Sequence, residues 1–258
     1  MPFLRDGGAP LDELPLAQRP ADGYRFALRA PVVYVDEPTG RRYRAPAAGE
    51  APPPAGITDL ASVPTPLWGL IASYGRQSAP AILHDAQSLA AAALDDPAAA
   101  LAQRREDDDV FHRALREQGV PVLRARLMWA WVSADRERTY AGWRGWLLLG
   151  QVALGVAVVV AAVVLAVAAH PAWLLLAVVP ALAALLWGTL ARLVIALTYP
   201  LALLGPVLLV QLLAVGVFRF VEAIVELLAG GDVRSVVRPT ALPDPDGRGT
   251  RSPGGEAP

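Results

Sequence analysis

From Trp146 to Ala169 the chain runs for 24 residues without a charged side chain. About 20 apolar residues cross the hydrocarbon core of a bilayer as a helix, and in lipid only a helix or a closed barrel satisfies its own backbone. The stretch reads as a transmembrane helix, and the rest of the chain has to be organised around it. His170-Pro171 makes a tight reversal. Residues 172–191 form a second span containing Pro180, and 193–217 are long enough for a third, interrupted by Pro200 and Pro206. After it, Phe218, Val221, Val225 and Leu228 share one helical face opposite Arg219, Glu222 and Glu226. That is the pattern of an amphipathic helix at the interface, ended by Gly230-Gly231. Two spans followed by an interfacial segment and three full spans both fit this pattern.

Most of the charge lies in the other half. Residues 1–144 carry 17 of the 23 Arg and 18 of the 24 acids, and the chain has no Lys and no Cys. A net charge of −1 lacks the electrostatic footprint of a nucleic-acid binder. The absence of Cys excludes disulfide scaffolds, thiolate metal sites and Cys nucleophiles, and the absence of Lys excludes Schiff-base and P-loop chemistry. The expected partner is the lipid bilayer, with a protein partner or a second copy of the chain left open. Charges and prolines in the first 20 residues leave no apolar stretch for a secretory signal. Arg126, Arg136, Arg138 and Arg144 precede the first span and the His170 turn has no Arg, so the positive-inside rule places the N-terminal domain in the cytoplasm, anchored in the inner membrane. Trp143, Trp146 and Trp173 lie where an aromatic belt belongs.

The polar half reads as a small α+β domain. Residues 1–22 are an N-terminal extension, 23–144 the soluble domain, 145–230 an all-α transmembrane module, and 231–258 a Pro/Gly-rich disordered tail. Alternating Tyr24, Phe26, Leu28, then Val33 and Val35, around a Glu37-Pro38-Thr39-Gly40 turn, predict a β-hairpin or meander. Helices follow at about 79–94, 98–117 and 121–133, with a break at Asp95-Asp96-Pro97. Trp129 and Trp131, two apart on the last of these, cannot share a face. One packs in the core, and the other faces the bilayer or a partner.

Three elements of this domain carry candidate chemistry: Thr58-Asp59-Leu60-Ala61-Ser62-Val63-Pro64, then His84-Asp85, then Asp108 with Phe111 and Leu115. The i, i+3, i+7 spacing of the last three puts the Asp108 carboxylate at the edge of a core-facing stripe. Asp109 points away as a surface acid, and His112 sits on the wet face.

In order and spacing, TDLASVP, HD and an Asp-x-x-Phe helix ending in a Gly-Val turn resemble the uncharacterised bacterial and phage family called domain of unknown function 1353, over about Tyr43 to Trp143. A weaker resemblance is to the phospholipase A2 pattern. It implies His84 as general base, Asp108 as its orienting partner and Asp85 as ligand of a Ca²⁺, with Thr58, Asp59 or loop carbonyls adding oxygens. The same residues also read as a buried hydrogen-bond network that fixes the domain. Two functions follow. The first is a non-catalytic scaffolding or interaction domain at the cytoplasmic face of the membrane. The second is a membrane-associated hydrolase working through His84 and Asp108.

Overall fold

In the computed structural model the described residues are 3–19, 25–61, 71–72, 74–233 and 236. Tyr24, Ser62, Val63 and Pro64, and residues 234–235 and 237–258 of the tail expected to be disordered, lie outside them. The hairpin expected around Glu37–Gly40 is present. β4 (Val32–Asp36) pairs antiparallel with β5 (Arg41–Ala45), with Tyr34 opposite Tyr43, and Gly40 takes a positive φ of 65° in the turn. Residues 3–5 and 16–18 also enter the sheets. β1 (Phe3–Arg5) is the third strand of the β1-β4-β5 sheet, and β2 (Leu16–Gln18) pairs with β3 (Phe26–Leu28), which in turn pairs with β6 (Ile57–Thr58). These strands are two or three residues long, too short for their alternation to be seen in the sequence.

Two helices, α1 (Ser78–Ala92) and α2 (Pro97–Glu117), pack on the sheet that holds β4, and α3 (Val122–Tyr140) packs on α2. Asp96 caps α2, its carboxylate accepting from the amides of Ala98 and Ala99, with Pro97 in the first turn, which is why the chain breaks where the Asp-Asp-Pro sequence predicts. One core joins Phe3, Leu28, Val32 and Tyr34 to Ile82, Leu83, Val110 and Ala114, and a second joins Ala81, Phe111 and Leu115 to Val120, Ala125 and Met128. Helix α3 runs seven residues past its expected end. Of its two tryptophans, Trp129 is buried and Trp131 is 48% exposed.

After α3 only Ala141 and Gly142 intervene before α4 (Trp143–Ala168), and Gly142 takes φ 58°. So short a link makes α3 and α4 antiparallel neighbours. The chain reverses near His170 and returns beside α4 through 3₁₀ turns (Pro171–Val178 and Leu185–Leu190) flanking a short α5 (Val179–Ala184). The indole of Trp187 donates to Gln151 Oε1 at 2.7 Å. A kink at Gly188, φ 55°, turns the chain into α6 (Ala191–Leu228), where Tyr199 Oη donates to the Ala177 carbonyl at 2.7 Å. The expected break before an interfacial helix is absent, because α6 is one 38-residue helix that continues through Pro200 and Pro206. Trp143–Ala168 and Pro171–Leu228 are long and apolar enough to cross a membrane.

A third cluster, Trp129 and Ala130 of α3 with Leu148, Val152, Leu193 and Val194, joins the domain to these helices. At Gly145 a Cβ would overlap the Glu137 carbonyl, whereas at Gly150 it would meet nothing. Gly145→Ala should therefore lower the melting temperature of the detergent-solubilised protein, at a cost of about 1–3 kcal/mol. Gly150→Ala should leave it unchanged or raise it slightly. Equal effects at the two glycines would contradict this close packing of α3 on α4.

Candidate functional site

Helix α1 lies antiparallel to α2, and α2 antiparallel to α3, so that the middle of α2 faces both neighbours. Asp108 sits there with no exposed surface. Its Oδ1 is 2.9 Å from His84 Nε2 on α1, and its Oδ2 accepts from Arg136 Nη1 at 2.6 Å and Ser133 Oγ at 3.1 Å on α3. Arg104, one turn earlier on α2, approaches Oδ1 to 3.9 Å and donates to Ser88 Oγ. The Ser88 hydroxyl in turn donates to the His84 carbonyl at 2.6 Å. Glu137 extends the network, accepting from Arg136 Nε at 3.1 Å and from Arg105 at 3.2 Å.

His84 is 7% exposed, and the Phe111 ring lies 4.7 Å from its own, centroid to centroid. Burial pushes its pKa down, against the pull of Asp108, so the ring is neutral near pH 7. The network assigns the proton to Nε2, which donates to Asp108. Arg104 Nη1, 3.2 Å from the same nitrogen, then directs its hydrogen to Ser88.

The neighbouring carboxylate points elsewhere. Thr58 Oγ1 donates to Asp85 Oδ2 at 2.6 Å while accepting from the Leu60 amide at 2.9 Å, so the motif loop is tied to α1 through Thr58. Ala61 lies in the second core beside Phe111. Burial drives the Asp85 carboxyl up to about 7, with Asp59 adding repulsion. A surface pocket beside it is lined by Pro46, Gly56, Thr58, Asp85 and Leu89, and His84 is not among its described lining residues. His84–Asp108 and Thr58–Asp85 are thus two separate pairs.

A Ca²⁺ ion needs six to eight oxygens and charged carboxylates. Among the described residues no group of three or more His, Cys, Asp or Glu side chains could hold a metal, and Asp85 holds its proton to about neutral pH. Among the described residues, Asp85 and Asp59 are not joined into a Ca²⁺ site.

Several partners in these networks are not evident from the sequence. Ser133 is the last residue of the expected helix and Arg136, three further on α3, falls past its expected end. Arg104 is hidden in an Arg-Arg-Glu-Asp-Asp-Asp run, although its i, i+4 spacing to Asp108 is the one available signal. Asp107, expected nowhere, is buried. Gln103 donates to its Oδ1 at 2.8 Å, its Oδ2 has no partner among the described residues, and burial raises its pKa to about 6. Asp109 is not a plain surface acid but pairs with Arg192 of α6 at 3.2 Å, and the Arg192 guanidinium lies 5.2 Å from the Trp129 ring centre. His112 packs edge-on against Trp129 with Nε2 buried, not on a wet face, because α3 and α6 cover that side of α2.

The Asp85 carboxyl is protonated in the fold at pH values where the unfolded chain has released its proton. It therefore costs stability increasingly as pH rises from about 4 to 7, and constantly above. Asp85→Asn keeps an acceptor for Thr58 and removes that cost, so it should raise the melting temperature by about 5 °C at pH 8 and by less at pH 5. A lower melting temperature at pH 8, or a Ca²⁺-dependent stabilisation that the variant loses, would contradict this assignment.

Comparison with known proteins places the domain. Residues 28–132 match the family model described as protein of unknown function DUF1353. No curated protein and no solved structure matches the chain significantly. The match runs from Leu28 in β3 to Val132 in α3. It contains Thr58, Asp59, His84, Asp85, Asp108 and Phe111 and stops one residue before Ser133. Over those residues the chain is similar to the DUF1353 family.

Proposed function

We propose that the protein is a membrane-anchored, non-catalytic interaction module, in which the DUF1353 domain is held at the cytoplasmic face of the inner membrane by α4 to α6. The observation that carries this reading is the enclosure of His84 and Asp108. A general base must be able to meet a substrate, but here both groups are buried, and the carboxylate is shared by His84, Ser133 and Arg136. Such a network favours a single arrangement of three helices.

Anchoring is supported by what the apolar helices leave uncovered. Leu154, Val164, Leu175, Leu186, Leu203 and Leu213 are all exposed. Soluble monomers rarely carry so much contiguous apolar surface, which calls for lipid or a partner chain. The bend at Gly188 comes back to the domain, since Arg192 reaches Asp109 while Trp187 bonds Gln151 of α4. If α4 crosses the bilayer, 171–190 returns and α6 crosses a third time. Arg126, Arg138 and Arg144 on the domain side set the orientation.

The hydrolase reading would need the described site to open by moving α3 off α2. Topology can be tested cleanly, because the chain has no native Cys. A Cys replacing Arg41 should be protected from an impermeant thiol reagent in intact cells. Cys at His170 or Asp232 should react. Labelling at position 41 with protection at 170 would reverse the orientation, and protection at all three would contradict insertion of α4 and α6.

A further inference from the structure

Resting on the membrane-anchored reading, we infer that the second half of α6 is a self-association site: Leu204–Leu228 pairs in parallel with the same segment of a second copy of the chain, and the two Gln211 amides hydrogen-bond to each other. Past Ala202 none of the described residues of α6 is buried, so these turns have no neighbour within the chain. Leu204, Val207, Gln211, Ala214, Phe218, Val221, Val225 and Leu228 recur at alternating steps of three and four, which is the seam of a left-handed helix pair. Val207, Phe218, Val221, Val225 and Leu228 are each more than half exposed. Carried back toward the helix start, the same period falls on Pro200, Leu197, Leu193 and Leu190, and these three leucines do pack, in the cluster with α3 and α4. The stripe that seats α6 on the rest of the chain therefore runs on past Ala202 without a partner.

Lipid covers apolar side chains as well as a second helix does, so the apolar seam alone does not decide what lies against it. Gln211 does. Arg192 at one end of α6 pairs with Asp109 of the domain, Arg219 near the other pairs with Glu222 at 2.8 Å, and from Leu193 to Phe218 no residue is charged. About 20 residues cross the hydrocarbon core, and every window of that length within this stretch contains Gln211. Its amide forms no hydrogen bond among the described residues, and lipid offers none. A primary amide both donates and accepts, so it is satisfied by its own counterpart across a two-fold axis, where each residue of a patch meets the same patch on the other copy. Copies inserted in the same orientation pair their α6 helices in parallel, which sets Gln211 opposite Gln211. Arg219, Glu222 and Glu226 fall outside the seam. A single polar residue within an otherwise apolar seam is the device that fixes the register of such a pair.

Oxidative crosslinking of single cysteines in the full chain, which has none of its own, tests this in isolated membranes, because a disulfide forms only between closely facing positions. Val207→Cys, Ala214→Cys and Val221→Cys, on the seam, should each give severalfold more disulfide dimer than Leu209→Cys and Leu213→Cys on the opposite face. Adding Gln211→Leu to Ala214→Cys should cut that yield severalfold, and adding Gln211→Asn should preserve it. Equal yields on the two faces, a yield unmoved by Gln211→Leu, or a crosslinked product whose mass is not twice that of the chain would overturn the pairing. Washing the same membranes with alkaline carbonate reports on the anchor separately. A chain that stays in them while its seam cysteines fail to crosslink would overturn the pairing and leave the anchor standing. A chain that is washed out would remove the anchor, and the inference with it.

Discussion

A carboxylate with no exposed surface must find its hydrogen bonds inside the protein, and Asp108 finds them on both neighbouring helices. One oxygen takes His84 from α1, and the other takes Ser133 and Arg136 from α3. Removing one partner of such a set leaves a buried polar or charged group unpaired, which costs far more than the pairing contributes. Three helices are thereby held in one register about one residue. The sheets need that register too. Val110 and Ala114, on the same turns of α2, pack with Phe3, Leu28, Val32 and Tyr34, and Arg113 reaches Asp36 at 2.8 Å at the end of β4.

The same helix that completes the Asp108 network joins the domain to the apolar module. α3 supplies Ser133, Arg136 and Glu137 to α2, and its Trp129 and Ala130 to the cluster with α4 and α6. With Arg192 reaching back to Asp109, and Gly142 as the turn between α3 and α4, no flexible linker separates the two halves. A force on the apolar helices is felt at Asp108 through one rigid element. That suits a protein whose role is to present a fixed surface at the membrane, and it would hinder one that must open a buried base to substrate.

How much of this could be read in advance depended on the range of the interactions. The apolar stretch from Trp146, the hairpin around Gly40 and the Asp-Pro helix start at 96–97 are local signals, and the structure follows them. The placement of Asp108 with Phe111 and Leu115 on one stripe told that something polar waited at the core edge, and TDLASVP with HD pointed to the DUF1353 family. What waited there was less legible. Ser133 and Arg136 come from a helix whose charged second half looks solvated until it is packed between α2 and α4. The short strands β1, β2 and β6 carry too few residues for a period to show. The continuity of α6 through two prolines depends on neighbours that no local pattern contains.

The central claim is that His84 and Asp108 form a structural pair and not a catalytic one, and a thermal double-mutant cycle on the detergent-solubilised chain tests it most directly. His84→Ala and Asp108→Ala should each lower the melting temperature, with the His84 change costing about 1–3 kcal/mol. The double mutant should be no worse than Asp108→Ala alone, because each single change already breaks the same interaction. An unchanged or raised melting temperature for His84→Ala would contradict the account, since a residue whose removal steadies the fold is held there for some purpose other than stability.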